Sequence, residues 1–312
     1  SDPIDFETPS EVPNPIPTQG TAKTFTTTAD GTYSLAEGEA KLFDGVSMAP
    51  TTIEIDKNKK FQTIDGFGYA ITYSSCYNLM KMNSEARLAL LKRIYSTTEG
   101  YGVSYARISL GSNDFSSTEY TYCDKKGSEN DPISNFELYS DENNYVIPIL
   151  KEILSINPSL KIIAAPWTCP KWMKVADIDT NTPKDSWTDG HLNPDYRETY
   201  AKYFVKFINV MKEKGINIYA VSPQNEPLNK ANCASLYMPW QEEAPFVKAL
   251  ATEFKRNGLT TKIYVYDHNY NYDNIADQED YPIKLYNAIG DNFEGSELVV
   301  GAAYHDYGGN NN

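Results

Sequence analysis

At 312 residues the chain has room for one barrel-sized domain of about 250 residues with a smaller unit beside it. With 40% hydrophobic and 22% charged residues it has the balance of an ordinary globular protein, and no window approaches the roughly 18 consecutive apolar residues that a membrane span requires. A formal charge of -14, from 42 acidic against 28 basic residues, repels phosphate backbones and anionic bilayers; nucleic acid is not an expected partner, and no transmembrane segment is expected.

Taken in chain order, residues 1–20 are rich in Pro, Asp, Glu, Ser and Thr without apolar periodicity, and they read as a flexible tether. A polar tether ahead of a folded domain is what a surface lipoprotein carries after its anchoring cysteine. A secreted or cell-surface, lipid-anchored placement is therefore the expectation. Residues 21–60 contain short alternating segments, Ala40-Lys41-Leu42-Phe43 and Thr52-Ile53-Glu54-Ile55, with a turn at Asp30-Gly31; they predict strands of a small β-module.

From Phe61 the pattern changes to strand, loop and helix in series. Apolar runs at 62–68, 103–110, 160–167, 218–222, 262–266 and 298–304 predict six parallel strands. Amphipathic stretches lie between them. The clearest covers 194–214, where Tyr196, Tyr200, Tyr203, Phe204, Phe207, Ile208 and Met211 share one face, Asn193 caps the start, Pro194 occupies the first turn and Gly215 ends it. Residues 84–95 and 246–254 repeat the arrangement. Serial β/α units make either an open doubly wound sheet or a closed barrel. The one glycine-rich candidate for a dinucleotide site, Gly66-Phe67-Gly68, lacks the third glycine. Polar and aromatic residues instead gather at strand ends, at Asp114, Trp167, Asn225-Glu226, Asp267-His268, His305 and Tyr307, which is where barrels place their chemistry. The expected fold is α/β, a (β/α)8 TIM barrel occupying 61–312 with its first six units present.

Four cysteines, Cys76, Cys123, Cys169 and Cys233, are far apart, with no C-x-x-C spacing and no clustered histidine. Neither a zinc site nor a disulfide framework is indicated, and buried thiols are expected. The sharpest chemical signal is Val221-Ser222-Pro223-Gln224-Asn225-Glu226-Pro227, an apolar strand that runs straight into an amide, a carboxylate and a proline. Glycoside hydrolysis needs a carboxylic acid to protonate the leaving oxygen, and an adjacent amide can bind the sugar 2-hydroxyl more tightly as the oxocarbenium-like state forms. Asn225 and Glu226 suit those roles; taken alone, the pair could equally be an ordinary exposed loop. The 24 tyrosines and four tryptophans suit sugar faces, although tyrosines also fill cores.

Several segments together lift that ambiguity. Gly66-Phe67-Gly68, Ala106-Arg107-Ile108, Asn113-Asp114-Phe115-Ser116, Tyr120-Thr121-Tyr122, the run from Ala165 to Lys174, Tyr203-Phe204-Val205-Lys206-Phe207, Gln224-Asn225-Glu226-Pro227 and Tyr266-Asp267-His268-Asn269 occur in the order and at the strand ends of one family. From Phe61 onward the chain resembles glycoside hydrolase family 30, which contains glucosylceramidases and β-1,6-glucanases. The resemblance implies that Glu226 is the acid/base, with Asn225 on the sugar 2-hydroxyl and Arg107 orienting the carboxylates. It implies that Asp114 and Trp167 contact the sugar, and that His305 and Tyr307 line the pocket, with Asp267 and His268 behind them. Tyr69, Tyr73 and Asp306 depart from the family pattern and bear on substrate detail.

The family places its nucleophilic glutamate at the end of the seventh strand, and no residue up to Asn312 matches it. The chain alone is therefore expected to be inactive. The family also builds a β-sandwich side module from both termini, of which residues 21–60 would be the N-terminal strands. The expected activity is retaining hydrolysis of β-glucan, most closely resembling the β-1,6-glucanase branch, with no metal or organic cofactor. The alternatives are a β-glucosidase or glucosylceramidase of the same family, and a non-catalytic carbohydrate-binding protein.

Overall fold

The computed structural model describes residues 17–43 and 50–310, which divide into two compact units with a boundary at Thr63 and Ile64. In the first unit β1 (Pro17–Thr26) pairs antiparallel with β2 (Ala36–Phe43). The connecting turn is held by Asp30, whose carboxylate accepts hydrogen bonds from the Thr28 hydroxyl and from the Thr32 amide and hydroxyl. Gly31 supplies a φ of 74° there, the left-handed conformation that costs other residues energy. The strand starts at Pro17, inside the stretch expected to be tether; the rest of the tether, residues 1–16, lies outside the described residues. The expected strand at 52–55 is absent. Ile53 and Ile55 are 85% and 83% exposed, because an alternating sequence becomes a strand only when a neighbour takes up its N–H and C=O groups, and among the described residues this one has none.

The second unit is built on six parallel strands, β3 (Gly68–Ala70), β4 (Tyr105–Ser109), β5 (Lys161–Ala165), β9 (Ile218–Val221), β10 (Lys262–Asn269) and β11 (Val299–His305), whose spatial order is their chain order. A doubly wound sheet reverses its strand order at a switch point. Here every crossover advances in one direction, and the six strands form part of a (β/α)8 barrel. Between β5 and β9 a small antiparallel sheet of β6 (Lys174–Asp177), β7 (Thr182–Pro183) and β8 (His191–Leu192) adds a flap that the sequence did not suggest.

The first barrel strand is shorter and later than the expected 62–68. The Phe67 carbonyl accepts from both Ser104 N and Tyr105 N, so pairing begins there, while Phe61 and Ile64 upstream stay exposed. Gly68 is required by that approach: a Cβ on it would lie 2.0 Å from the Tyr105 carbonyl oxygen.

Helices α1 (Tyr73–Lys81), α2 (Ser84–Tyr95), α3 (Ile147–Ile156), α4 (Arg197–Glu213), α5 (Trp240–Arg256) and α6 (Tyr281–Ile289) make the crossovers. The α4 stripe behaves as its spacing predicts. Asn193 accepts from Asp195 N at 3.0 Å, a single 3-10 turn at Pro194–Tyr196 leads in, and Tyr200, Tyr203, Phe204, Phe207 and Met211 are fully buried. Each such side chain contributes roughly 1.5–3 kcal/mol by leaving water. α5 begins six residues before the expected 246, since Pro245 lies inside the helix, near enough to its start that only one backbone hydrogen bond is forgone.

Strand alternation sets the site. On β4, Ala106 and Ile108 are buried and Arg107 takes the opposite face, where it lines a cavity with Ile163 of β5 and Tyr264 of β10. Cys76, Cys123 and Cys169 are buried free thiols as expected, but Cys233 is exposed; it sits in an irregular loop with no apolar periodicity to bury it. No described helix is long and apolar enough to cross a membrane.

Candidate active site

β9 delivers Glu226 to the barrel mouth, and the backbone around it is tied to both neighbouring strands. Asn225 N donates to the Pro166 carbonyl at 2.8 Å, and Glu226 N donates to the Asp267 carbonyl at 3.0 Å. Gln224 Nε2 donates to the Trp167 carbonyl at 2.6 Å. These bonds hold Glu226 at a φ of 47°, a left-handed conformation that costs a non-glycine residue about 1–2 kcal/mol and that turns its side chain into the mouth. Glu226 Oε2 accepts from the Asn229 and Asn232 amides at 2.8 and 2.9 Å. Its Oε1 lies 3.1 Å from His305 Nδ1.

A charged chain runs from there into the barrel. His305, at the end of β11, reaches Asp267 Oδ1 with its Nε2 at 2.8 Å. Arg107 NH2 donates at 2.8 Å both to Asp267 Oδ2 and to Asn225 Oδ1. Burial alone would raise the Asp267 carboxyl, yet Arg107 and His305 outweigh it and lower the pKa to about 2. Burial would likewise lower His305, but its hydrogen bonds to Asp267 and Glu226 raise it to about 9; at neutral pH it is an imidazolium donating from both nitrogens. Burial pushes Glu226 upward too, and is overcome by the hydrogen bonds from His305 and Asn229 and by the positive charge of His305, so the net shift is downward. Both Asp267 oxygens are thus occupied by cations. Asp267 is a structural anion and not a free nucleophile.

Trp167 is buried, its ring 5.1 Å from the Arg107 guanidinium carbon, and its indole N–H has no partner. A buried donor left over in a native site is available to a ligand acceptor. Asn225 has spent its carbonyl on Arg107, and its amide N–H groups meet no described acceptor. Asp114 is on an exposed loop after β4 and is not bonded to the Arg107–Asp267–His305–Glu226 chain. Tyr307 is 84% exposed, with its ring 6.0 Å from His305. The structure therefore brings together Arg107, Trp167, Asn225, Glu226 and His305, and leaves Asp114 and Tyr307 on the rim.

A cavity of about 350 Å³ is lined by Arg107, Ser222, Asp267, His305, Asp306 and Tyr307. Another of about 400 Å³, lined by Pro158, Lys161, Gly215 and Tyr219 among others, lies at the opposite ends of the strands. Arg107, Asp267 and His305 all line the first, at the C-terminal ends where barrel chemistry sits, and Glu226 is joined to that lining through His305.

Sequence reasoning placed Asp267 behind the site and missed that it is the hub. It also missed the two amides on Glu226. His268 is buried, accepts from Leu228 N through Nδ1 and faces Asp273 through Nε2 at 3.2 Å. That pattern makes Nε2 the protonated nitrogen of a neutral ring, and burial lowers its pKa accordingly. Its role is to tie the loop after Glu226 to β10.

Comparison with known proteins identifies the family of the barrel. Residues 64–285 match the glycosyl hydrolase family 30 TIM-barrel domain. An endo-1,6-beta-D-glucanase of Trichoderma harzianum is 31% identical over 318 residues, spanning 98% of this chain and 62% of its own length. A putative glucosylceramidase of Caenorhabditis elegans is 30% identical over 279 residues, with 83% of this chain and 50% of its own length covered. A solved endo-β1,6-glucanase superposes with a TM-score of 0.82 at 54% identity, over 93% of this chain and 60% of that one. The chain thus spans about 60% of the length of these glucanases. With more than half of its residues matched by the domain, the chain belongs to glycosyl hydrolase family 30.

Proposed function

We propose that the protein hydrolyses β-1,6-linked glucan with retention of configuration, with Glu226 as general acid/base. The observation that carries this reading is the setting of Glu226: a strand-end carboxylate gripped by His305, Asn229 and Asn232, beside an Asn225 whose carbonyl is held by Arg107. The similarity to two endo-1,6-glucanases favours that linkage over the glucosylceramidase reading.

In the mechanism Glu226 protonates the leaving oxygen while a second carboxylate, about 5–5.5 Å away, attacks the anomeric carbon. We assign that role to none of the described carboxylates; both Asp267 oxygens are already held by Arg107 and His305. The added negative charge raises the Glu226 pKa and holds its proton for the first step. Once the nucleophile is glycosylated the charge is gone. Glu226 then returns to the depressed pKa seen here, which suits the base that activates water in the second step. Asn225 donates to the 2-hydroxyl, Trp167 donates its indole N–H and walls the subsite, and Asp114 and Tyr307 act from the rim. No metal or cofactor takes part. β1 and β2 belong to a β-sandwich side module, the residues before them tether it, and the protein acts outside the cytoplasm.

The test is Glu226→Gln in the full-length protein. Loss of a positioned acid costs about 10²–10⁴-fold, so hydrolysis of β-1,6-glucan should collapse by that factor. An activated aryl glucoside, whose leaving group needs no proton, should lose far less in the first step. Small and equal losses on both substrates would remove Glu226 from the role. Binding of glucan by a full-length protein that never cleaves it would favour a carbohydrate-binding protein.

A further inference from the structure

Asp267 reaches its position through an irregularity in β10. The pairing with β11 slips between Tyr266 and His268, and Tyr266 and Asp267 adopt φ values of 73° and 72°. Two successive non-glycine residues in the left-handed region make a strained bulge that re-aims a side chain. It presents the Asp267 carboxylate to Arg107 and His305, and the Asp267 carbonyl to Glu226 N. The bulge also turns the Tyr266 amide away from the sheet.

That amide donates to Glu243 Oε1 at 2.9 Å. Glu243, in the first turn of α5, is fully buried. Its other oxygen is 2.5 Å from the Tyr281 hydroxyl, which is in turn 2.6 Å from the Met238 carbonyl. The Met238 carbonyl can only accept and the tyrosine carries one proton, so that proton goes to Met238. The Glu243 to Tyr281 contact is then satisfied when Glu243 is itself protonated and donates. No basic side chain bonds to Glu243 among the described residues. The groups facing it are Tyr266 and Asp267 from β10 and Tyr281 from α6, with Glu242 beside it on its own helix.

We propose that Glu243 is a positioning residue that works as a neutral carboxylic acid, clamping the bulge of β10 so that Asp267 holds His305 against Glu226. The link from His305 to catalysis rests on the acid/base reading of Glu226; the clamp itself does not. Burial, reinforced by the charge on Asp267 and only partly offset by the bonds to Tyr281 and Tyr266, pushes the Glu243 carboxyl up to about 8, in keeping with the donor count. Because this folded value lies above the ordinary 4.5, the folded chain holds the extra proton between those two values. Its stability contribution is full below about pH 4.5 and declines as pH rises toward about 8.

The experiment compares Glu243→Gln and Glu243→Leu in the full-length protein. Glutamine keeps an acceptor for Tyr266 and a donor for Tyr281 without a titrating group; leucine keeps neither. The chain has three histidines, so the His305 imidazole can be followed by NMR titration without any substrate. The expected result is a His305 titration near its native value in the glutamine variant and one shifted down by a unit or more in the leucine variant. On β-1,6-glucan, kcat should fall at least tenfold with leucine at nearly unchanged KM, and hold with glutamine. The melting temperature of the native protein should decline from pH 5 to 8, and the glutamine variant should show a smaller decline, keeping only the part that His305 contributes above about pH 6.5. If leucine prevents folding, that melting comparison decides: a glutamine variant as pH-sensitive as the native protein overturns the proposal. So does a folded leucine variant with an unmoved His305. A protein inactive on glucan in its native form would refute the functional reading, while the His305 titration and the melting profile would still test the clamp.

Discussion

Replacing Asp267 with asparagine removes one charge and almost no volume, and its effect can be worked from the structure. The native carboxylate accepts from Arg107 on one oxygen and from His305 on the other. An asparagine can accept only one of them and points an N–H₂ at the other, leaving a buried donor opposite a donor. The native depression from 3.8 to about 2 corresponds to about 2 kcal/mol at about 1.4 kcal/mol per pKa unit. Because the folded value is the lower one, that stability is present above the unfolded pKa of 3.8 and is lost as pH falls toward about 2. His305 carries the opposite sign. Its folded value of about 9 exceeds the ordinary 6.5, so its contribution is complete below about 6.5 and fades as pH rises through about 9. Urea unfolding of Asp267→Asn at pH 7 should therefore show a loss of about 2 kcal/mol or more, and the gap to the native protein should narrow near pH 2.5. In the same variant the His305 titration should fall toward 6.5, since its strongest anionic partner is gone. Equal stability at pH 7, or a His305 pKa that stays near 9, would refute the reasoning.

Two other expectations concern the sugar subsite and the core. Trp167→Ala removes the unpartnered indole N–H and the apolar wall, and Asp114→Ala removes a candidate hydroxyl acceptor; each should weaken a glucose-configured inhibitor by about 1–3 kcal/mol in calorimetry, and unchanged dissociation constants in folded variants would make these residues structural. Phe207→Ala, on the fully buried stripe of α4, should cost about 3–5 kcal/mol in chemical denaturation, and a loss below about 1 kcal/mol would mean that the stripe is not core.

The barrel was legible in the sequence because its signals are local and repeated. Six apolar runs separated by amphipathic helices fix serial β/α units, and α4 follows its stripe, its capping Asn193 and its closing Gly215 to within a few residues. The misreadings have a common cause. Residues 52–55 and 62–67 carry strand-like composition, but whether a strand forms depends on a neighbour, and the neighbour is not encoded in the segment itself. Pro245 conversely hid the first turns of α5, because a proline's lost hydrogen bond weighs less near a helix start than the sequence rule allows.

The site divides along the same line. Glu226 and Asn225 announced themselves because the chemistry needs a carboxylate and an amide side by side at a strand end. Asp267 did not, because its importance comes from three long-range partners: Arg107 and His305 at 160 and 38 residues' separation, and Glu226, whose amide it receives on its carbonyl. Those contacts require a bulge at Tyr266 and Asp267 that the residue types advertise only in part, since an aspartate visits the left-handed region now and then but a tyrosine seldom does. An outward sign of such a place is two positive φ values in a row held by a buried acid. Strain of that kind persists only where the surroundings over-determine it. In this chain it is fixed from α5 by Glu243, from β4 by Arg107 and from β11 by His305. Three separate elements thus converge on one bulge, two of them on its carboxylate, and what they hold in common is the setting of Glu226.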